Sequence, residues 1–272
     1  MKSVAEKLLK EDTKRGYRIG LEIKMKAGFQ ALAVKMAVVD WIRTWFAGAA
    51  VEGKAVIGIS GGKDSSVVAA LCVEALGKDR VIGVLLPNGL QVDFASAQAV
   101  INYLEISYLE LNLKVAYDSL LSSLAGYTEV SQQTRLNLAP RLRMGALYAV
   151  AQSMNGRVAN TSNLSERWVG YTTRYGDSVG DFAPLFNFTA TEVKLLGKAA
   201  GLPTEFIDKV PTDGLSGKSD EENLGFSYEL LDQYIRTGVC ENLAIKQRID
   251  ELYTCNEFKR LPMPCFNWPV AI

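Results

Sequence analysis

Gly58-Ile59-Ser60-Gly61-Gly62-Lys63-Asp64-Ser65-Ser66 is the stretch that decides the fold. Ahead of it, Lys54-Ala55-Val56-Ile57 is short, apolar and β-branched, the pattern of a buried strand. Behind it, Asp64 to Leu76 repeats Val67, Val68, Leu71, Cys72 and Ala75 at helical spacing and stops at Gly77. The Gly/Ser-rich turn therefore joins a strand to a helix N-terminus. Backbone N–H groups without helical partners, together with the positive end of the helix dipole, make such a place an anion site. Gly61 and Gly62 let a ligand approach the backbone closely, and Ser60, Ser65 and Ser66 add hydroxyl donors. A phosphate is the natural guest.

Two common phosphate loops do not fit. GxxxxGK[ST] needs a glycine at Ile57 and Ser or Thr after Lys63, where Asp64 stands; GxGxxG needs a glycine at Ser60. Asp64 also carries a message of its own. A carboxylate inside an anion nest is repelled by phosphate unless a cation lies between them, so Asp64 reads as a Mg²⁺ ligand. Helix capping favours Ser and Asp too, but capping explains neither the paired glycines nor the serine cluster.

Working outward, Arg80-Val81-Ile82-Gly83-Val84-Leu85-Leu86 reads as a second buried strand, followed by Pro87-Asn88-Gly89 and a helix from about Phe94 to Leu104. Ile106 to Leu111 is a third strand, Val115 to Leu124 a helix, Arg141 to Met154 a helix, and Arg157 to Asn160 a fourth strand. Strands alternating with helices imply a parallel sheet covered on both faces, and right-handed crossovers make it a doubly wound, Rossmann-like α/β fold. Ligands of such folds bind at the carboxyl ends of the strands, where the Ser/Gly loop sits. Upstream, Met36, Val39, Trp41, Ile42, Trp45 and Phe46 give a helix a wide apolar face, suited to the sheet or to another subunit. Residues 1–26 read as a charged helical arm, and 203–225, rich in Gly, Pro and Ser, as a mobile active-site loop. The whole of 1–272 reads as one domain.

Composition narrows the chemistry. Thirty basic residues balance thirty acidic ones, so no global field argues for nucleic acid. Gly28 to Val51 is interrupted by Lys35, Asp40 and Arg43 and is too charged to span a bilayer. No apolar leader pattern is visible, and four cysteines without a CxxC pair suggest a reduced, cytoplasmic protein with no zinc knuckle. Histidine is absent, which excludes Ser-His-Asp and Cys-His catalysis and His-ligated zinc. Any general base is then Asp, Glu, Lys, Tyr or substrate, and any metal is oxygen-ligated.

Further motifs follow in order: Asn137-Leu138-Ala139-Pro140-Arg141-Leu142-Arg143-Met144, then Asn160-Thr161-Ser162-Asn163-Leu164-Ser165-Glu166-Arg167-Trp168-Val169-Gly170-Tyr171-Thr172-Thr173-Arg174-Tyr175-Gly176-Asp177-Ser178-Val179-Gly180-Asp181, then Lys209-Val210-Pro211-Thr212-Asp213-Gly214-Leu215. The Ser60–Ser65 loop resembles the pyrophosphate loop of the ATP pyrophosphatases. The ordered set, from about residue 30 onward, resembles ammonia-dependent NAD⁺ synthetase, whose fold is the adenine-nucleotide alpha-hydrolase type.

That resemblance implies a homodimeric ligase that adenylates the nicotinate carboxylate of deamido-NAD⁺ with ATP and lets ammonia displace AMP. It implies ATP contacts at Gly58, Ile59, Ser60, Gly61, Gly62, Lys63 (near phosphate only), Asp64, Ser65, Thr161 and Thr212. Asp64 and Glu166 correspond to Mg²⁺ ligands. Arg141, Arg174 (usually lysine), Asp181 and Lys259 correspond to deamido-NAD⁺ contacts. Lys209 would meet phosphate charge as the loop closes, and Asp177 is the candidate to hold ammonium or take its proton. Ala190 stands where many members have an ATP-contacting lysine, with Lys194 as a nearby substitute, and Phe258 replaces a histidine. Glutamine-dependent relatives carry an extra glutamine-hydrolysing domain, for which the chain offers no room, so free ammonia is the expected donor. The rivals are a tRNA-modifying ATP pyrophosphatase, which would need a basic face, and a nucleotide sensor without turnover.

Overall fold

A computed structural model describes residues 29–89, 94–209 and 219–266. The proposed arm over 1–26, Thr212 and the centre of the 203–225 loop lie outside the described residues.

The sheet contains β1 (Lys54–Gly58), β2 (Val81–Leu85), β3 (Ser107–Glu110) and β4 (Gly156–Val158), all parallel, in the order β3-β2-β1-β4. β1 is central, and the chain winds one way through β2 and β3 before returning to its other side as β4. The change of direction falls between β1 and β4, so the crevice opens at the carboxyl end of β1, where Gly58–Ser66 begins. β1 pairs with both neighbours, and helices cover it on both sides, with Ala55 and Ile57 in one cluster and Val56 in the other, which explains its continuous apolar run.

Each face is covered by a different set of helices. On one side α1 (Ala31–Ala49), α2 (Lys63–Leu76), α3 (Phe94–Leu104) and α7 (Ala190–Ala199) bury Ile42, Phe46, Leu71, Ile101 and Leu196 against Ala55, Ile57 and Leu85. Each fully enclosed aliphatic or aromatic side chain contributes about 1.5–3 kcal/mol. On the other side α5 (Gln132–Ser153) lays Met144, Leu147, Val150 and Ala151 over Val56, Val84 and Val158. A satellite cluster joins α6 (Leu164–Val169) to α10 (Tyr228–Thr237) and α11 (Leu243–Cys255) through Val169, Leu231 and Ile249.

The sequence expectations meet two differences. The helix expected from Arg141 begins at Gln132, capped by Ser131, whose Oγ accepts from the Thr134 N–H, and it runs through Pro140. Proline is favoured at a helix start, which is why the sequence pointed to a beginning beside it; here the Ser131 cap sets the start instead. Coverage of the sheet also ends at β3, all four of whose residues are exposed. α4 (Lys114–Ala125) follows it and buries only Leu121. On α1, Trp45 stacks on Phe182 with ring centroids 5.0 Å apart, so it serves this chain's own core, while Trp41 remains exposed.

Candidate active site

The Ser60–Ser66 turn is tied together by its own hydroxyls. The Ser60 N–H donates to Ser65 Oγ at 3.3 Å, the Gly62 N–H donates to Ser60 Oγ at 3.2 Å, and Ser66 Oγ donates to Gly62 O at 2.8 Å. The N-cap of α2 is Gly62, and no side chain caps it. The first N–H groups of the helix are therefore available to an anion. Gly61 has φ +76°, and a Cβ there would lie 2.6 Å from the Ala97 backbone nitrogen at the start of α3. Only glycine lets α3 close against the turn.

Above the turn lies a cavity of about 540 Å³. Its floor is Gly58–Ser60 and Gly62–Ser65, its apolar walls include Leu86, Phe94 and Met144, and Thr161, Glu166, Asp177, Lys209 and Lys259 also reach it. Two regions far apart in sequence thus meet over the strand ends.

The acidic pair is built in two pieces. Asp64 occupies the first turn of α2, and its Oδ2 accepts from Lys63 Nζ at 2.7 Å. Its Oδ1 accepts from Asn163 Nδ2 at 3.1 Å. Asn163 also caps α6: its Oδ1 accepts from the Glu166 N–H at 3.0 Å, and the Glu166 carboxylate accepts from the Asn163 N–H at 3.4 Å. One asparagine thereby sets Asp64 and Glu166 relative to each other. Burial, reinforced by the Asp64 charge, pushes the Glu166 carboxyl well above its ordinary range, while Lys63 and the Asn163 N–H pull the other way. Burial also disfavours the Lys63 ammonium, but Asp64, Glu166 and Asp232 together outweigh it and raise its pKa.

Behind this pair, Ser165 Oγ donates to the buried Asp232 carboxylate, and the Ala190 N–H donates to Ser165 Oγ at 2.9 Å. Ala190 is consequently a buried helix-start residue, and Lys194 pairs with Asp208 at 3.5 Å, outside the cavity lining.

A second polar group lines the same cavity. Asp177 Oδ1 accepts from the Thr173 N–H at 2.6 Å, and Thr173 Oγ1 donates to Asn137 Oδ1 at 3.0 Å. Burial raises the Asp177 pKa, against the Thr173 N–H, Lys259 and Arg143. Arg143, which sequence reasoning left as a helix charge, is half-buried, lines the cavity and donates through Nε to Leu86 O at 3.3 Å. Its signal was available: it lies one helical turn before Leu147, which packs on the sheet. Asn163 and Asn160 were also missed as organisers. Asn160 Nδ2 donates to Asp177 O at 2.8 Å and to Val179 O at 3.0 Å, and no local pattern announces bonds of that range.

The expected dinucleotide contacts divide. Lys259 lines the cavity, with Nζ donating to Gly170 O at 2.6 Å and Thr172 O at 2.9 Å. Arg141, Arg174 and Asp181 lie outside its lining. Arg141 Nε donates to Arg174 O at 3.3 Å, and the Arg174 guanidinium lies 5.0 Å from the Tyr175 ring centroid and 5.6 Å from that of Phe258. Asp181 accepts from the Val158 N–H at 2.7 Å and from the Tyr148 hydroxyl at 3.4 Å.

A parallel sheet with an uncapped anion nest at its switch point and an acidic pair beside it defines a nucleotide-binding α/β protein of the adenine-nucleotide alpha-hydrolase type. The family follows from comparison: the NAD synthase model matches residues 34–263, and the chain belongs to that family. It is 43% identical over 186 residues to the NH(3)-dependent NAD(+) synthetase of Methanococcus aeolicus, covering 66% of this chain and 72% of that one. Against the enzyme of the same description from Pyrococcus horikoshii it is 38% identical over 228 residues, 78% of this chain and 88% of the other. Among solved structures, NMN synthetase from Francisella tularensis aligns with a TM-score of 0.81 and 32% identity, covering 88% of this chain and all of that one.

Proposed function

We propose that this chain amidates the nicotinate carboxylate of deamido-NAD⁺ with ammonia, consuming ATP and releasing AMP and pyrophosphate. The observation that carries this reading is one cavity floored by the Ser60–Ser66 anion nest and reached by Asp64, Glu166 and Asp177. A carboxylate is a poor electrophile with a poor leaving group, and an acyl adenylate repairs both defects.

The nest donates N–H groups and hydroxyls to the ATP phosphates, and the apolar walls near Leu86, Phe94 and Met144 suit a base or ring. Thr161 and Lys209 border the same space, and with Thr212 they are the proposed further ATP contacts. Among the described residues, no three acidic, imidazole or thiolate side chains form a ready-made metal cage. Two carboxylates completed by phosphate oxygens and water are the ordinary way of holding Mg²⁺, so Asp64 and Glu166 fit it. Bound there, Mg²⁺ would neutralise charge on the departing pyrophosphate. We read Asp177, whose pKa burial raises against the pull of Arg143 and Lys259, as the group that would hold ammonium or accept its proton. Arg141, Arg174, Asp181 and Lys259 are the proposed dinucleotide contacts.

The chain is further proposed to act as a homodimer in the cytoplasm. No helix among the described residues is long and apolar enough to cross a membrane. The exposed Tyr108 and Leu109 of β3, Leu111 just after it, and Val115 and Leu120 on α4 offer more apolar side chains for contact than Trp41 alone.

The test is NAD⁺ formation from deamido-NAD⁺, ATP and Mg²⁺, with ammonium compared against glutamine. Product with ammonium, stoichiometric AMP and pyrophosphate, and an Asp64→Asn loss of about a thousandfold are expected. Release of ADP and orthophosphate would defeat the reading. The likeness to an NMN synthetase favours one second reading, amidation of nicotinate mononucleotide. Running both substrates side by side decides between them.

A further inference from the structure

Lys63 is a lysine in a phosphate loop that points away from solvent. Its side chain is 3% exposed, and its ammonium lies 2.7 Å from Asp64 Oδ2. The other oxygen of the same carboxylate accepts from Asn163 Nδ2 at 3.1 Å. Both oxygens of Asp64 are therefore engaged by protein donors. The Asn163 amide is neutral; the lysine brings a full charge, which the negative charges of Glu166 and Asp232 also favour.

This arrangement has two electrostatic consequences. Partly buried carboxylates crowded together are costly without a counter-charge, and Lys63 supplies one from within the chain. The same ammonium opposes the approach of a divalent cation to Asp64 Oδ2, because like charges a few ångströms apart repel strongly where water is scarce. The lysine stem has four flexible carbons, so the charge can be moved aside without moving the backbone.

We propose that Lys63 is a built-in counter-ion, seated in the Asp64–Glu166 cation site of the metal-free protein and displaced when a divalent cation binds there. The proposal rests on the reading of Asp64 and Glu166 as metal ligands. It makes Lys63 a positioning residue that lowers metal affinity in exchange for a neutralised site. On this account the displaced ammonium becomes available to phosphate oxygens only after the metal has arrived.

The experiment uses the full chain without nucleotide, Mn²⁺ as the probe, and electron paramagnetic resonance to count free metal. Lys63→Met keeps the stem and removes the charge; it is expected to bind Mn²⁺ about tenfold tighter than the parent. Lys63→Arg keeps the charge and is expected to stay within about threefold of the parent. If the parent binds Mn²⁺, Asp64→Asn abolishes that binding, and Lys63→Met binds no tighter, the counter-ion role is overturned and the metal reading stands. If neither parent nor Lys63→Met binds Mn²⁺, the counter-ion role is overturned, and the metal reading is judged separately by repeating the titration with ATP, whose phosphate oxygens complete the site. Should Lys63→Met fail to fold, the parent protein supplies the answer through acetic anhydride labelling read by mass spectrometry. Labelling of Lys63 is expected to rise at least about threefold on adding Mn²⁺, as the ammonium leaves its enclosed position. Unchanged labelling at saturating Mn²⁺ overturns the proposal.

Discussion

Two regions lining the active-site cavity are built on opposite principles. The Ser60–Ser66 turn closes on itself: its hydroxyl bonds span two to five residues, and the strand and helix it joins are contiguous with it. The 170–177 segment has almost no regular structure and is held from a distance. Thr173 bonds Asn137, 36 positions away; Asn256 Nδ2 reaches Val169 O across 87 positions; Lys259 reaches Gly170 O across 89. Arg260 adds a bond to Trp168 O at 3.1 Å. Three side chains of the turn around α12 (Glu257–Arg260) thus collect the carbonyls of Trp168, Val169 and Gly170 at the end of α6. Helix ends leave carbonyls unpaired, and cations are favoured there, so the clamp answers a need any helix has. The lesson is that a binding floor can be specified by nine consecutive residues, whereas the group proposed to handle ammonia depends on the whole chain arriving correctly.

The contrast can be broken most severely at Gly61. Alanine there must adopt φ +76° and push its Cβ against the Ala97 nitrogen. Backbone cannot yield as a flexible side chain can, so roughly 3 kcal/mol of stability is expected to be lost. Misplacement of the nest by an ångström would also cost about a hundredfold in kcat/KM. Denaturant unfolding and steady-state kinetics check both; an Ala variant with parental stability would show that the α3 contact is loose.

A smaller effect is expected from Asn256→Ala, which leaves every residue of the 170–177 segment untouched. It deletes the bonds to Val169 O at 3.1 Å and Leu252 O at 3.0 Å, for a loss of about 1–2 kcal/mol. Asn256→Gly deletes the same bonds and also empties the space against Gly170, where an added Cβ would meet the Asn256 Cβ, an atom that alanine keeps, at 2.2 Å. Combining it with Gly170→Ala should therefore be less harmful than Gly170→Ala alone, although the +68° φ of Gly170 leaves residual strain. Additive losses in a double-mutant cycle would count against the clamp.

The same contrast explains what could be read in advance. Strand, turn and helix around Gly58–Leu76 emerge from alternation, spacing and glycine chemistry, all of which are local. So does the parallel, doubly wound character of the sheet, because strands alternate with helices along the chain; the order β3-β2-β1-β4 comes from the structure. The Gln132 start of α5 was hidden because Pro140 is a stronger textual signal than a single Ser131 cap. The alignment of Asp64 with Glu166 through Asn163 spans 99 residues, and only the resemblance of the ordered motifs hinted at it. Arg141, Arg174 and Asp181 were marked by the same resemblance. In the described chain they lie outside the cavity lining.

The mildest change sharpens the comparison from the side of stability. Asp177 lies in the less self-sufficient region, and burial raises its pKa in the folded protein above the ordinary 3.8. A carboxyl whose folded pKa is raised binds its proton more tightly in the native state. Its stabilising contribution is full below about pH 4 and is lost as pH climbs through the folded value. At neutral pH the ionised group is therefore a burden that the fold carries for its chemistry. Asp177→Asn keeps an acceptor for the Thr173 N–H but cannot ionise. Relative to the parent, its melting temperature should improve between about pH 4 and about pH 7.5, even as amidation falls. Amidation should partly recover with excess ammonia at alkaline pH, where ammonia no longer needs a base. A melting difference that narrows or reverses with rising pH would mean that ionised Asp177 is well paired, and the two regions would then be equally at rest.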